Sequence, residues 1–153
     1  MCFSQNIGCQ LSSSYAGTIA RQPPQDVMFE ARRNPGPFTS IAAFHDYFSN
    51  PRNLSSSPHP LRNMLRDNQK IYFTHADINK ANIIVSPPSD GPVRIRAIVD
   101  WQQSGWYPAN WEYCKARWQT SDSDLKSWRL SEFLERWPTR WFWEWDYFTM
   151  SLL

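Results

Sequence analysis

The chain has 153 residues, of which 41% are apolar and 20% charged, with 16 Lys and Arg against 14 Asp and Glu. This composition is typical of one globular domain, and it excludes a disordered chain and leaves little room for two domains. The net charge of +2 and the scattered arginines argue against nucleic-acid binding, which normally shows a clustered basic stripe.

Membrane insertion and disulfide bonding are also disfavoured. No run reaches the roughly 18 apolar residues that cross a bilayer, and residues 1–20 lack the charged start and apolar centre of a signal peptide. We therefore expect a cytoplasmic protein without membrane partners. Cys2, Cys9 and Cys114 are odd in number and form no C-x-x-C pair, so free thiols are expected and a zinc site is not.

An irregular N-terminal arm is predicted for residues 1–37, extended or only loosely docked. Pro23-Pro24 and Pro35-Gly36-Pro37 interrupt this stretch, and its apolar residues show no sustained period. The folded domain is predicted to comprise residues 38–153.

A first helix is predicted over residues 40–49, with Thr39 or Ser40 as its cap. Its apolar face consists of Ile41, Phe44, Tyr47 and Phe48. The same spacing recurs at Leu61, Met64 and Leu65. His45 and His59 have no partner pattern, and we expect them on a helix face or in solvent.

The middle of the chain changes to strand patterns. Residues 71–73 and 83–85 are short apolar runs typical of buried strands, and residues 93–99 alternate apolar with charged side chains. Helical spacing returns after Pro108, which is suited to a first helical turn. The apolar positions of this helical part are Trp111, Cys114 and Trp118, followed by Leu130, Phe133, Leu134, Trp137 and Trp141.

One polar loop stands between the predicted strands. His75 to Asn82 read His-Ala-Asp-Ile-Asn-Lys-Ala-Asn, which matches the H-x-D-x-x-x-x-N catalytic loop of kinases. An apolar strand ends in Asp100, 18 residues after Asn82. The three polar residues Asp77, Asn82 and Asp100 are thus predicted at the ends of neighbouring strands.

These residue types suit phosphoryl transfer. The reaction needs an anion that accepts or orients a hydroxyl proton, which is the expected role of Asp77. It also needs hard oxygen ligands for Mg²⁺, which the amide of Asn82 and the carboxylate of Asp100 can supply. His75 is expected to support the loop through hydrogen bonds. Each residue alone is common in loops for local reasons, so the prediction rests on their combination.

The segments 73–77, 82–85, 97–102 and 105–113 resemble the aminoglycoside phosphotransferase family of the protein-kinase-like fold. Within that family the chain is most similar to a fungal group whose tail motif reads G-W-Y-P-x-x-W-E-Y. The resemblance covers roughly residues 36 to 118. It implies an α+β fold, namely a mostly helical C-terminal lobe in which a small strand cluster carries the catalytic loop.

The resemblance also implies the chemistry. Asp77 would be the catalytic base, Asn82 and Asp100 the magnesium ligands, ATP the phosphoryl donor and a small-molecule hydroxyl the acceptor. Two departures are small: Ala76 stands where the family usually has Gly, and Gln102 replaces an acidic residue. If position 76 needs a positive φ, alanine would strain the backbone there, whereas glycine would not.

A larger departure concerns the nucleotide. The five glycines at positions 8, 17, 36, 91 and 105 form no G-x-G or P-loop spacing, and no lysine lies on a strand before the loop. The N-terminal nucleotide lobe is therefore expected to be absent, and no ATP-binding residue is assigned. We expect a phosphotransferase impaired by this truncation, or alternatively a non-catalytic remnant or pseudoenzyme that binds an unknown protein partner.

Overall fold

The computed structural model describes residues 15–30, 35–50, 57–119 and 145–149. Within these ranges it contains the helices α1 (Ile41–Ser49) and α2 (Trp111–Trp118) and the strands β1 (Ile71–Thr74), β2 (Ile83–Val85), β3 (Ile95–Ile98) and β4 (Gly105–Pro108). A further helical segment spans 145–149. The fold of the described chain is thus α+β. Cys2, Cys9 and the predicted helical positions from Leu130 to Trp141 lie outside the described residues.

The strands form two separate antiparallel pairs. β1 pairs with β4, with Thr74 opposite Gly105. β2 pairs with β3, with Ile83 opposite Ile98 and an irregular register near Val85. The polar loop of residues 75–82 therefore passes from one pair to the other, whereas the spacing alone predicted strands that are direct neighbours.

The predicted strands at β1, β2 and β3 are confirmed as strands, but β2 is not buried, because Ile84 and Val85 are each 48% exposed. β4 was not predicted. Pro108 ends this strand and does not begin a helix, since α2 starts at Trp111 after Asn110. A proline at the end of a strand loses no internal ladder bond, which explains why the strand tolerates it.

α1 confirms the predicted first helix. Its N-cap is Ser40, whose Oγ accepts a hydrogen bond from the Ala43 N–H at 3.0 Å. The helical spacing after it gives only a 3₁₀ turn, Arg62–Met64. His45 lies on this helix, as one of the two expected positions, but contrary to expectation it has a partner: the ring is buried and its Nδ1 lies 2.8 Å from Asp67 Oδ1.

The core is a cluster of aromatic rings around Trp111. Trp111 stacks on Tyr107 at 5.3 Å and on Phe29 at 5.7 Å between ring centroids, and the edge of Phe44 meets it at 5.2 Å. Cys114 packs into the same core as a free, buried thiol. Packing of this kind accounts for the high aromatic content without a binding surface for the buried rings.

The described part of the predicted arm packs into this core. Ala16 forms backbone bridges with Phe38, and Gly17 forms them with Trp106. Asp26 is fully buried, where its carboxylate accepts hydrogen bonds from Lys115 Nζ at 2.7 Å and from Trp111 Nε1 at 2.8 Å. Residues 15–30 therefore hold α2, the helix that borders the polar loop.

No helix in the described parts of the chain is long and apolar enough to cross a membrane.

Candidate functional site

The polar loop leaves β1 through a left-handed turn. Ala76 has φ +64° and is fully buried. This conformation costs an L-residue roughly 1–2 kcal/mol, so the surroundings must hold it in place. The chain then returns through the 3₁₀ turn Lys80–Asn82, where the Asn79 Oδ1 accepts a hydrogen bond from the Ala81 N–H at 2.9 Å.

His75 joins this loop to the segment after β3. The ring is 2% exposed. Its Nδ1 accepts a hydrogen bond from the Asp77 N–H at 3.2 Å, and its Nε2 donates to the Val99 carbonyl at 2.9 Å. These two bonds require the neutral ring with its proton on Nε2. Trp101 covers the ring edge-on at 4.5 Å.

Asp77 and Asn82 lie in direct contact. The Asn82 Nδ2 group donates to Asp77 Oδ2 at 3.0 Å and to the Asp77 carbonyl at 2.9 Å. Both of these bonds use the side-chain NH₂ group of Asn82, so they leave the side-chain oxygen Oδ1 available for another ligand. The second oxygen of Asp77, Oδ1, accepts a hydrogen bond from Gln119 Nε2.

Asp100 directly follows Val99, whose backbone carbonyl accepts the hydrogen bond from His75. The Val99 N–H donates a hydrogen bond to the backbone carbonyl of Asn82 at 3.0 Å. Asp100 itself has φ +63°, a second left-handed residue, and is exposed. Trp101 fixes the next position by stacking on Phe73 at 6.0 Å. The structure thus brings Asp77 and Asn82 into contact and places the Asp100 backbone one residue beyond a hydrogen bond to Asn82.

The donor set is compatible with a magnesium ion. Mg²⁺ prefers hard oxygen ligands and usually keeps several waters, so that one or two protein oxygens suffice. The side-chain amide oxygen Oδ1 of Asn82 and the exposed carboxylate of Asp100 are ligands of this kind. Among the described residues there is no group of three or more His, Cys, Asp or Glu that could hold a metal ion.

Glu112 on α2 was missed by the sequence analysis as a site residue. Its Oε2 accepts hydrogen bonds from the His75 N–H at 2.7 Å and the Ala76 N–H at 3.1 Å. Burial raises the pKa of Glu112 to about 7, against the lowering effect of N–H donors from Ala76, His75 and Ile78. Its other oxygen, Oε1, is buried without a hydrogen-bond partner in the described part of the chain.

The contacts of Glu112 explain the left-handed turn. Successive N–H groups converge on one carboxylate oxygen only if the chain curls around it, as in an anion-binding nest. The only signal in the sequence was that Glu112 is an acidic residue in the first turn of a predicted helix. Such residues more often interact favourably with the helix dipole than with a distant loop. The contact with a loop 37 positions earlier could not be read from that signal.

Comparison with known families assigns the chain. A family model described as the phosphotransferase enzyme family matches residues 21–152. The chain belongs to this phosphotransferase enzyme family. Comparison with curated proteins and with solved structures found no match. The family match begins within the predicted arm, and it extends beyond the motif-bearing segment of 36 to 118 on both sides.

One departure from the phosphotransferase pattern lies at a left-handed backbone position. Ala76 has φ +64°, so this position adopts the angle that favours glycine. Glycine adopts this angle at little cost, whereas alanine adopts it with strain. The Glu112 hydrogen bonds to the N–H groups of His75 and Ala76 offset this strain.

Proposed function

We propose that the chain is a phosphotransferase domain of the protein-kinase-like type that transfers the γ-phosphoryl group of ATP to a hydroxyl of a small molecule. In this proposal the described residues form a C-terminal catalytic lobe, and the protein works in the cytoplasm. The family match and the geometry of the loop support it. The chemical class of the acceptor stays open, because the fold hosts several.

Each polar residue of the site has a role in this reaction. As the acceptor oxygen bonds to the γ-phosphorus, the bond from that phosphorus to the bridging oxygen breaks, ADP leaves and the hydroxyl proton passes to Asp77. His75 keeps the loop in place through its bonds to the Asp77 N–H and the Val99 carbonyl. Asn82 orients Asp77 through Oδ2.

Asn82 and Asp100 would hold Mg²⁺ through the amide carbonyl and the carboxylate. When bound there, the ion neutralises charge on the transferring phosphates. The observation that carries the proposal is the contact between Asp77 and Asn82: one amide both fixes the base and leaves an oxygen for a cation.

The proposal predicts a strong effect of Asp77→Asn. Phosphoryl transfer would be followed by ADP release with Mg·ATP and a panel of hydroxylated acceptors, such as an aminoglycoside, choline and a sugar. We expect the variant to lose about 10²- to 10⁴-fold in rate, since general-base catalysis contributes that much. Asp90→Asn is the matched control, because Asp90 is an exposed carboxylate outside the loop whose contacts are with Arg96 and the neighbouring Ser89. Equal rates for wild type and Asp77→Asn would exclude Asp77 as the base.

A second candidate is a non-catalytic module that binds a protein partner. The observation in its favour is the exposed apolar surface of the β2–β3 pair and its connection, where Ile84 and Val85 are each 48% exposed and Val93 is 69% exposed. Exposed apolar clusters are frequent at protein interfaces.

Calorimetry separates the two candidates. A micromolar affinity for Mg·ATP would favour the enzyme, and it should stabilise the protein by about 2.7 kcal/mol at a hundredfold excess over Kd. Binding should weaken in Asp100→Asn if Asp100 holds the cation. Absence of Mg·ATP binding at millimolar concentration would favour the partner-binding module.

A further inference from the structure

Gln119 lies outside the loop, and its side-chain Nε2 donates a hydrogen bond to Oδ1 of the Asp77 carboxylate. It ends α2, where its N–H donates to the Lys115 carbonyl at 3.0 Å, and its side chain is exposed. It lies seven positions after Glu112, which places both residues on the same helix face two turns apart. One helix face therefore contacts both the backbone of the loop and its reactive carboxylate.

The two oxygens of Asp77 differ in their surroundings. Oδ2 faces the buried amide of Asn82, whereas Oδ1 faces the exposed Gln119. An acceptor hydroxyl that approaches from solvent therefore reaches Oδ1. In the free protein this oxygen already accepts a hydrogen bond from the side-chain Nε2 of Gln119, so a hydroxyl can donate its proton there only by replacing that hydrogen bond.

We propose that Gln119 is a specificity-determining residue of the acceptor site: its side-chain amide occupies the oxygen of Asp77 that the acceptor must reach. An acceptor with enough contacts elsewhere displaces the amide. Water has no such contacts and is excluded from Asp77, which limits wasteful hydrolysis of ATP. The inference rests on the proposed function.

Water serves as the probe acceptor in the test, because hydrolysis of Mg·ATP needs no knowledge of the natural acceptor. The attacking water bonds to the γ-phosphorus, ADP leaves, and the water proton passes to Asp77 Oδ1. We expect kcat for hydrolysis to rise about 5-fold in Gln119→Ala, since one net hydrogen bond is removed. KM for Mg·ATP should not change. A damaged fold would lower kcat, so a gain cannot arise from a structural defect.

Gln119→Met separates the hydrogen bond from the bulk of the side chain, because methionine has similar length and helix propensity but no N–H donor. It should raise kcat as Gln119→Ala does. Gln25→Ala is the matched control, since Gln25 is an exposed glutamine outside the site.

The outcomes are distinguishable. If Gln119→Met hydrolyses ATP like wild type, or neither variant gains activity while Asp77→Asn loses it, the inference is overturned and the proposed function stands. If wild type and all variants hydrolyse no Mg·ATP and bind none, the proposed function fails and the inference with it. The contact itself is checked by NMR: the side-chain amide signals that disappear in Gln119→Ala should shift in Asp77→Asn, and unchanged signals would also overturn the inference.

Discussion

At the level of single residues, Ala76 carries a backbone strain that its neighbours offset. Its φ of +64° is held by the Glu112 carboxylate, and its methyl group is fully buried. Glycine would remove the strain but also the buried methyl group, and these two effects nearly cancel. A β-branched residue would add strain in a position without free space.

We therefore predict that Ala76→Val lowers the free energy of unfolding by at least about 2 kcal/mol, because φ strain and overpacking add. Ala76→Gly should stay within about 1 kcal/mol of wild type. Urea unfolding of the two variants measures both values. Equal stability of Ala76→Val and Ala76→Gly would show that the position does not need a left-handed backbone in solution.

Glu112 makes the stability of the protein depend on pH. Burial raises its pKa from the ordinary 4.5 to about 7, so the folded protein binds an extra proton between these two values. The free energy of unfolding contributed by Glu112 is therefore highest below about pH 4.5 and decreases as the pH rises to about 7. Burial also lowers the pKa of His45. The contribution of His45 to the free energy of unfolding therefore increases as the pH rises, opposite to that of Glu112.

Glu112→Gln should abolish the contribution of Glu112 and leave that of His45. The stability difference between wild type and variant is expected to change by up to about 3 kcal/mol between pH 4.5 and pH 7. Urea unfolding at four pH values across this window measures it. Two parallel curves would contradict a raised pKa at Glu112.

At the level of elements, the start of α1 depends on one hydroxyl. Ser40 Oγ accepts from the Ala43 N–H at 3.0 Å and caps the helix. The neighbouring Thr39 was an equal candidate from the sequence, yet it is exposed and does not make this bond. The hydroxyl position relative to the first turn decides between the two, and that position depends on backbone angles.

Ser40→Ala should destabilise the protein by about 1 kcal/mol, the usual cost of losing an N-cap. Thr39→Ala is the matched control and should change the stability by less than about 0.5 kcal/mol. Thermal unfolding of both variants gives the comparison. A larger loss in Thr39→Ala than in Ser40→Ala would place the cap at Thr39.

For the whole molecule, the buried ion pair of Asp26 with Lys115 links the N-terminal residues to α2. Both side chains are fully buried, with 2.7 Å between Asp26 Oδ1 and Lys115 Nζ. Burial raises the pKa of Asp26, and the charge and hydrogen bond of Lys115 oppose this effect. Lys115 also donates to Gln103 Oε1 at 3.0 Å, so removal of either partner leaves a buried polar network incomplete.

Asp26→Asn should lower the free energy of unfolding by about 3–5 kcal/mol, because it leaves the Lys115 charge buried without its counter-ion. Adding Lys115→Met should recover part of this loss, since the unpaired charge is then gone. Urea unfolding of the single and double variants measures the coupling. Asp90→Asn removes an exposed pair with Arg96 and should cost at most about 1 kcal/mol. Additive losses in the double variant would contradict the coupling.

The features that depend on local spacing could be predicted from the amino-acid sequence. The apolar period of residues 41–48 predicted α1, and the eight-residue polar loop with its flanking strands predicted the candidate site and pointed to the phosphotransferase family. These features follow from short-range rules, since helix periodicity, capping and loop chemistry involve residues within a few positions of each other.

Contacts between distant parts of the chain became visible only in the folded structure. Glu112 reaches the loop 37 positions before it, and Lys115 reaches Asp26 across 89 positions. Nothing in the local pattern distinguishes these residues from ordinary acidic and basic positions of a helix, because their partners are set by the packing of α2 against the loop and the arm. For the same reason the sequence could not show that β4 pairs with β1, or that Gln119 meets Asp77.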